Sequence, residues 1–75
     1  MLDNIKNDIV DFVNSDKTEY KISSFNFDLI LDSLSFLYMN ELRLYNKFNN
    51  LKIKDIEFCT INKEDASVIL EALER

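Results

Sequence analysis

The chain has 75 residues, 47% of them hydrophobic and 31% charged, with no glycine, proline or histidine and a single cysteine. This describes one small domain spanning residues 1–75 rather than a disordered segment; one cysteine excludes an internal disulfide, and without histidine an ordinary zinc site lacks ligands. Fourteen acidic against nine basic residues leave a net charge of −5, which repels phosphate backbones and points away from direct nucleic-acid binding and towards a basic protein partner.

Leu2, Ile5, Ile9, Phe12 and Val13 recur at helical spacing, with Asn4, Asp8 and Asp11 opposite, which predicts an amphipathic first helix. The segment carries three aspartates against one lysine and has no small-residue cleavage site, so it does not read as a signal peptide. No apolar run approaches the roughly 20 residues that cross a bilayer. A lone thiol in such a chain fits a reducing cytoplasm. The turns must use Asn, Asp and Ser in place of Gly and Pro, and the candidates are Asn14-Ser15-Asp16, Ser23-Ser24 and Asn49-Asn50. Tyr20 and Ile22 alternate with polar neighbours and predict a short strand over Thr18 to Ser23.

Ser24 or Asn26 is placed to cap a long helix from Phe25 to Phe48. On a helical wheel Phe27, Ile30, Leu31, Leu34, Leu37, Tyr38, Leu42, Tyr45 and Phe48 form one stripe, the expected core face. Leu29, Phe36 and Met39, with Phe25 and Leu44 at the edges, point the other way among Asp32 and Arg43. A helix apolar on both sides is either buried between layers or faces another chain. Leu29, Phe36, Met39 and Arg43 are therefore the candidate protein interface, with self-association or assembly into a complex as the expected outcome. Glu41 is the one charge inside the main stripe. It either reaches the rim to pair with Lys21, Lys52 or Lys54, or lies in a groove and accepts hydrogen bonds from a partner.

Leu51 to Asp55 fits strand, helix or loop. Ile56 to Ile61 is β-prone, and Asn62 is placed to cap a last helix with acids in its first turn and Ala66, Ile69, Leu70 and Leu73 on its buried face. The predicted fold is a helix-dominated α+β domain in α-β-α-β-α order, with one long central helix and two short strands; the alternative is an all-α bundle of three or four helices. Ile22, Leu29, Ile30, Leu31, Asp32 and Leu34 also match Ile61, Val68, Ile69, Leu70, Glu71 and Leu73 at one constant offset, a faint internal repeat that shared strand-to-helix patterning alone can produce.

No catalytic, cofactor or metal site is expected. Histidine is absent, and Cys59 sits in an apolar strand without a base to activate it, the setting of a structural thiol. The helical pairs Asp8 with Asp11 and Asp28 with Asp32 share faces but resemble no calcium loop. Glu64, Asp65 and Glu71 are the candidate acidic recognition residues, set to join Asp8, Asp11, Asp16 and Glu74 if the chain brings its two ends together. The function expected from these features is a non-enzymatic, acidic protein-binding module. The abundance of Asn, Lys and Ile beside little Ala suggests an AT-rich genome, and with it a phage or mobile-element inhibitor that occludes a basic, nucleic-acid-binding surface of a host enzyme. The alternatives are an antitoxin-like or regulatory subunit and a small homo-oligomeric structural protein.

Overall fold

The apolar spacing that predicts the first helix builds α1 over Leu2–Val13, with Ile5, Ile9 and Phe12 buried. The computed structural model describes residues 2–75, with side chains from Asn4 onward, so the expected packing of Leu2 falls outside the described residues. A turn at residues 14–16 leads to β1, Tyr20–Ser23, and a single 3-10 turn over Ser24–Asn26 leads to α2, Phe27–Ser33. Then come α3, Met39–Ile53, β2, Phe58–Ile61, and α4, Lys63–Glu74. The fold is the expected helix-dominated α+β arrangement, and its two-stranded antiparallel sheet sets aside the all-α bundle. Both strands are shorter than the apolar alternation suggests.

The single long helix expected over residues 25–48 is two helices. Leu34 takes an extended conformation, φ −78° and ψ 143°, which stops α2, and α3 restarts in a different phase. Leu44 and Phe48 become core residues, so Leu44 is not at the edge of a second face, while Leu37 and Tyr38 leave the expected core stripe and are exposed. Asn49-Asn50 is helical rather than a turn, and Leu51 to Asp55 is the end of α3 and its termination. There the Ile56 N–H reaches the Leu51 carbonyl at 3.0 Å and the Asp55 N–H the Lys52 carbonyl at 3.1 Å. This is a Schellman stop with Asp55 at φ 59°, in the left-handed region where glycine is usual; the sequence has none to place there.

The core runs between all four helices and one face of the sheet. Phe27 and Phe48 are fully buried with ring centroids 5.3 Å apart, and Ile9, Ile30, Leu44, Ile61 and Ile69 complete it. Burying each such side chain contributes about 1.5–3 kcal/mol. The strands alternate as half-buried sheets do: Ile22, Cys59 and Ile61 face inward, while Lys21, Phe58 and Thr60 face out.

The faint repeat extends through the whole domain. Each half runs helix, strand, helix, and buried positions recur at an offset of 39: Ile5 with Leu44, Ile9 with Phe48, Ile22 with Ile61, Phe27 with Ala66, Ile30 with Ile69. The strand register obeys the same operation, because the offset turns the pair Tyr20↔Ile61 into Cys59↔Ile22, itself a pair of the sheet. Packing follows suit. α1 lies on α4 as α3 lies on α2, and each pair is tied where one helix ends and the other starts: Lys63 donates to the Ser15 carbonyl, and Lys52 to Asp28. The halves are thus related by an approximate two-fold axis through the Lys21↔Thr60 pair.

Candidate functional site

Between α2 and α3 the chain must turn without glycine or proline, and side chains supply what the backbone lacks. The Ser35 N–H donates to Glu41 Oε1 at 3.0 Å, and the Leu37 N–H to Ser35 Oγ at 3.1 Å. Glu41, in the first turn of α3, is buried. Its carboxylate also accepts from Arg75 Nη1 at 2.7 Å and from Arg75 Nη2. The guanidinium in turn lies 5.0 Å from the Tyr38 ring centroid and reaches the Ser33 carbonyl at 3.5 Å. The hydrogen bond from Arg75 holds the Glu41 carboxyl below its ordinary range, against the opposing effect of burial and with help from the Ser35 amide. Glu41 is therefore paired within the fold, by Arg75 rather than by Lys21, Lys52 or Lys54.

This web displays four consecutive large apolar residues, Phe36, Leu37, Tyr38 and Met39. Leu37 is 87% and Met39 82% exposed, and Phe36, itself exposed, packs edge-to-face with Tyr45, centroids 4.8 Å apart. One helical turn on, Arg43 shares an open groove with Met39, Asn40, Leu42 and Asn46. Of the four residues expected at an interface, Met39 and Arg43 come together, while Phe36, in the same turn as Met39, packs on Tyr45. Leu29 does not join them, because it is partly buried against the core from α2. Leu37 and Tyr38 belong to the surface, although helical periodicity assigns them to the core. A carboxylate inside the apolar stripe, six residues after Ser35, was the signal that the stripe ran out of phase.

The acidic candidates separate as well. Asn62 caps α4 as predicted, its Oδ1 accepting from the Asp65 N–H at 2.8 Å. The Asp65 carboxylate is buried and bound by Arg43 at 2.7 Å, with Lys47 at 3.8 Å. Asp65 therefore joins α4 to α3 and leaves the set of surface recognition charges. Glu64 and Glu71 are exposed, as are Asp8 and Asp11 on the neighbouring α1. Glu71 lines a cleft with Tyr38 and Asn40, which sets a carboxylate beside the apolar turn.

A second open cleft, between α1 and β1, is lined by Asp8, Asp11, Phe12, Ser15, Lys17 and Tyr20. Burial, and next the nearby Asp8, push the Tyr20 hydroxyl up, which leaves it a neutral phenol at pH 7. Burial likewise pushes the Cys59 thiol up, and its Sγ contacts the Thr60 carbonyl at 3.4 Å. Among the described residues no group of three or more Asp, Glu or Cys is placed to hold a metal ion, and no helix is long and apolar enough to cross a membrane. No family model matches the sequence, and no curated protein or solved structure matches it either.

Proposed function

We propose that this chain is a non-enzymatic protein-binding module of the cytoplasm that docks a basic protein through the apolar turn Phe36–Met39, with Glu71 and the exposed carboxylates of α4 at its margin. The carrying observation is the turn itself. Four large apolar residues on a short connector cost solubility and fill no core, yet hydrogen bonds to the buried Glu41 hold the connector in one shape, as a preorganised docking element requires. Aromatic and methionine anchors beside arginine and carboxylate are the chemistry of an interface centre and its rim. The narrower form of the proposal is that the target surface is one that binds nucleic acid, where an acidic module competes for the same positive field.

Affinity capture on the immobilised wild-type chain, with the Phe36→Asp, Met39→Asp double variant as control, tests this. A basic protein should be retained by the wild type and lost from a variant whose circular dichroism is unchanged. Its association should slow with added salt and with Glu64→Gln, Glu71→Gln. A partner that binds the double variant equally well, or that is insensitive to salt, overturns the reading.

A further inference from the structure

The approximate two-fold axis supplies an internal control. An apolar residue needed by the fold should have an apolar residue at its equivalent position in the other half, as Ile22, Phe27 and Ile30 have in Ile61, Ala66 and Ile69. Outside the Phe36–Met39 turn, where Phe36 stands opposite Arg75, three exposed apolar residues break that rule. Phe25 stands where the other half has Glu64, Ile53 where it has Asn14, and Phe58 where it has Glu19. The same architecture thus accepts polar residues at these places, and packing does not account for the apolar ones. Ile56 beside them is different, since a Schellman stop commonly carries an apolar residue at that position.

The segments that carry the three residues meet at one corner of the molecule. Ser23 pairs with Phe58 across the sheet, the Ser24 N–H donates to the Glu57 carbonyl at 2.6 Å, and the Lys52–Asp28 ion pair ties the end of α3 to the start of α2. Phe25 is 74% and Ile53 75% exposed. Around them the charges balance: Lys21, whose Nζ lies 4.2 Å from the Phe58 ring centroid, and Lys54 stand with Asp55 and Glu57.

We propose that this corner is a self-association surface whose occupant is the same corner of a second copy of the chain. The balanced rim is the reason to choose a second copy. A patch bordered by both signs is self-complementary across a two-fold axis, whereas a single-signed border sets like charges against each other. Elsewhere two chains of net charge −5 repel, so a balanced corner is the place where copies meet at least electrostatic cost. A basic partner gains no such advantage here and is better served by the acidic α4 surface. Small domains without a disulfide also gain from burying apolar surface against a partner subunit. This surface is separate from the Phe36–Met39 turn, and it stands whether or not that turn docks a partner.

Sedimentation equilibrium on the wild-type chain from about 10 μM to about 1 mM, a span that detects dimers with Kd down to the micromolar range and up to about 1 mM, tests the proposal. The mass should rise from one chain towards two. The triple variant Phe25→Glu, Ile53→Asn, Phe58→Glu, which installs the other half's own residues, should stay monomeric with an unchanged circular dichroism spectrum. The double variant Phe25→Glu, Ile53→Asn leaves both strands untouched and should weaken association at least tenfold, which keeps the test open if the triple variant misfolds. A wild type monomeric throughout overturns the proposal, and so does a dimer that survives the double variant. A double variant that unfolds also overturns it, because the corner would then belong to the fold.

Discussion

Glu41 and Arg75, 34 residues apart in sequence, form an ion pair, its carboxylate buried and its guanidinium partly exposed, that fixes the α2–α3 turn to the end of α4. One carboxylate receives both the guanidinium and the Ser35 amide, so it joins the connector, the first turn of α3 and the residue after α4.

The pair should be visible in the pH dependence of stability. The folded-state pKa of Glu41 lies below its ordinary value of 4.5, so its stabilising effect is complete above that value and fades as pH falls through the folded pKa. Glu41→Gln should lower the melting temperature by several degrees at pH 7, where Arg75 loses its countercharge. The gap to the wild type should narrow steadily below about pH 4.5. Parallel melting curves from pH 7 to pH 3 would show that the pair does not contribute in this way.

Leu44 and Leu37 exchange the places that helical periodicity assigns them. Leu44→Ala should cost about 2–5 kcal/mol through the cavity it leaves, whereas Leu37→Ala, on an 87% exposed side chain, should change stability by no more than about 0.5 kcal/mol. Urea denaturation of the two variants checks this, and a reversed order would restore the uninterrupted helix.

Asp55 bears the cost of a left-handed residue in a chain without glycine. Asp55→Gly should therefore raise stability, by up to about 1 kcal/mol, with no change in the surrounding hydrogen bonds. A loss of stability would mean that the aspartate side chain makes a compensating interaction.

Cys59 faces inward from β2 with its thiol pKa pushed up by burial. Native protein at pH 8 should resist iodoacetamide and become alkylated only on unfolding, followed by mass spectrometry. Cys59→Ser should leave partner binding intact with a modest loss of stability. Rapid native alkylation would reopen a chemical role for the thiol.

The legible parts of the fold were those set by local signals. Asn62 announced α4, the Ile5, Ile9 and Phe12 spacing announced α1, and alternation around Ile22 with the β-prone run Phe58 to Ile61 announced the strands. The break after Ser33 had no signal of that kind beyond the carboxylate of Glu41 inside the stripe, because the usual punctuation by glycine or proline is absent and the apolar spacing continues across the turn. What stops the helix is tertiary: Glu41 accepts the Ser35 amide while Arg75 arrives from far along the sequence to neutralise it. The same cause hid half of the candidate site, since Leu37 and Tyr38 look like core residues until the helix phase resets. Asp65 departs from its local signal for a related reason. An acid in a first helical turn is usually solvent-exposed, and its burial depends on Arg43 and Lys47 crossing from α3.

The two-fold relation between the halves bears on how the segments have to be wired. The connector of residues 34–38 joins α2 to α3, and the same operation sets the end of α4 near the start of α1. A chain cut within that connector and rejoined by a similar short link from α4 to α1 would run α3, β2, α4, α1, β1, α2 through the same contacts. The architecture is thus indifferent to which of two junctions carries the covalent link, and a circular permutant opened between Phe36 and Leu37 is expected to reach the same native core.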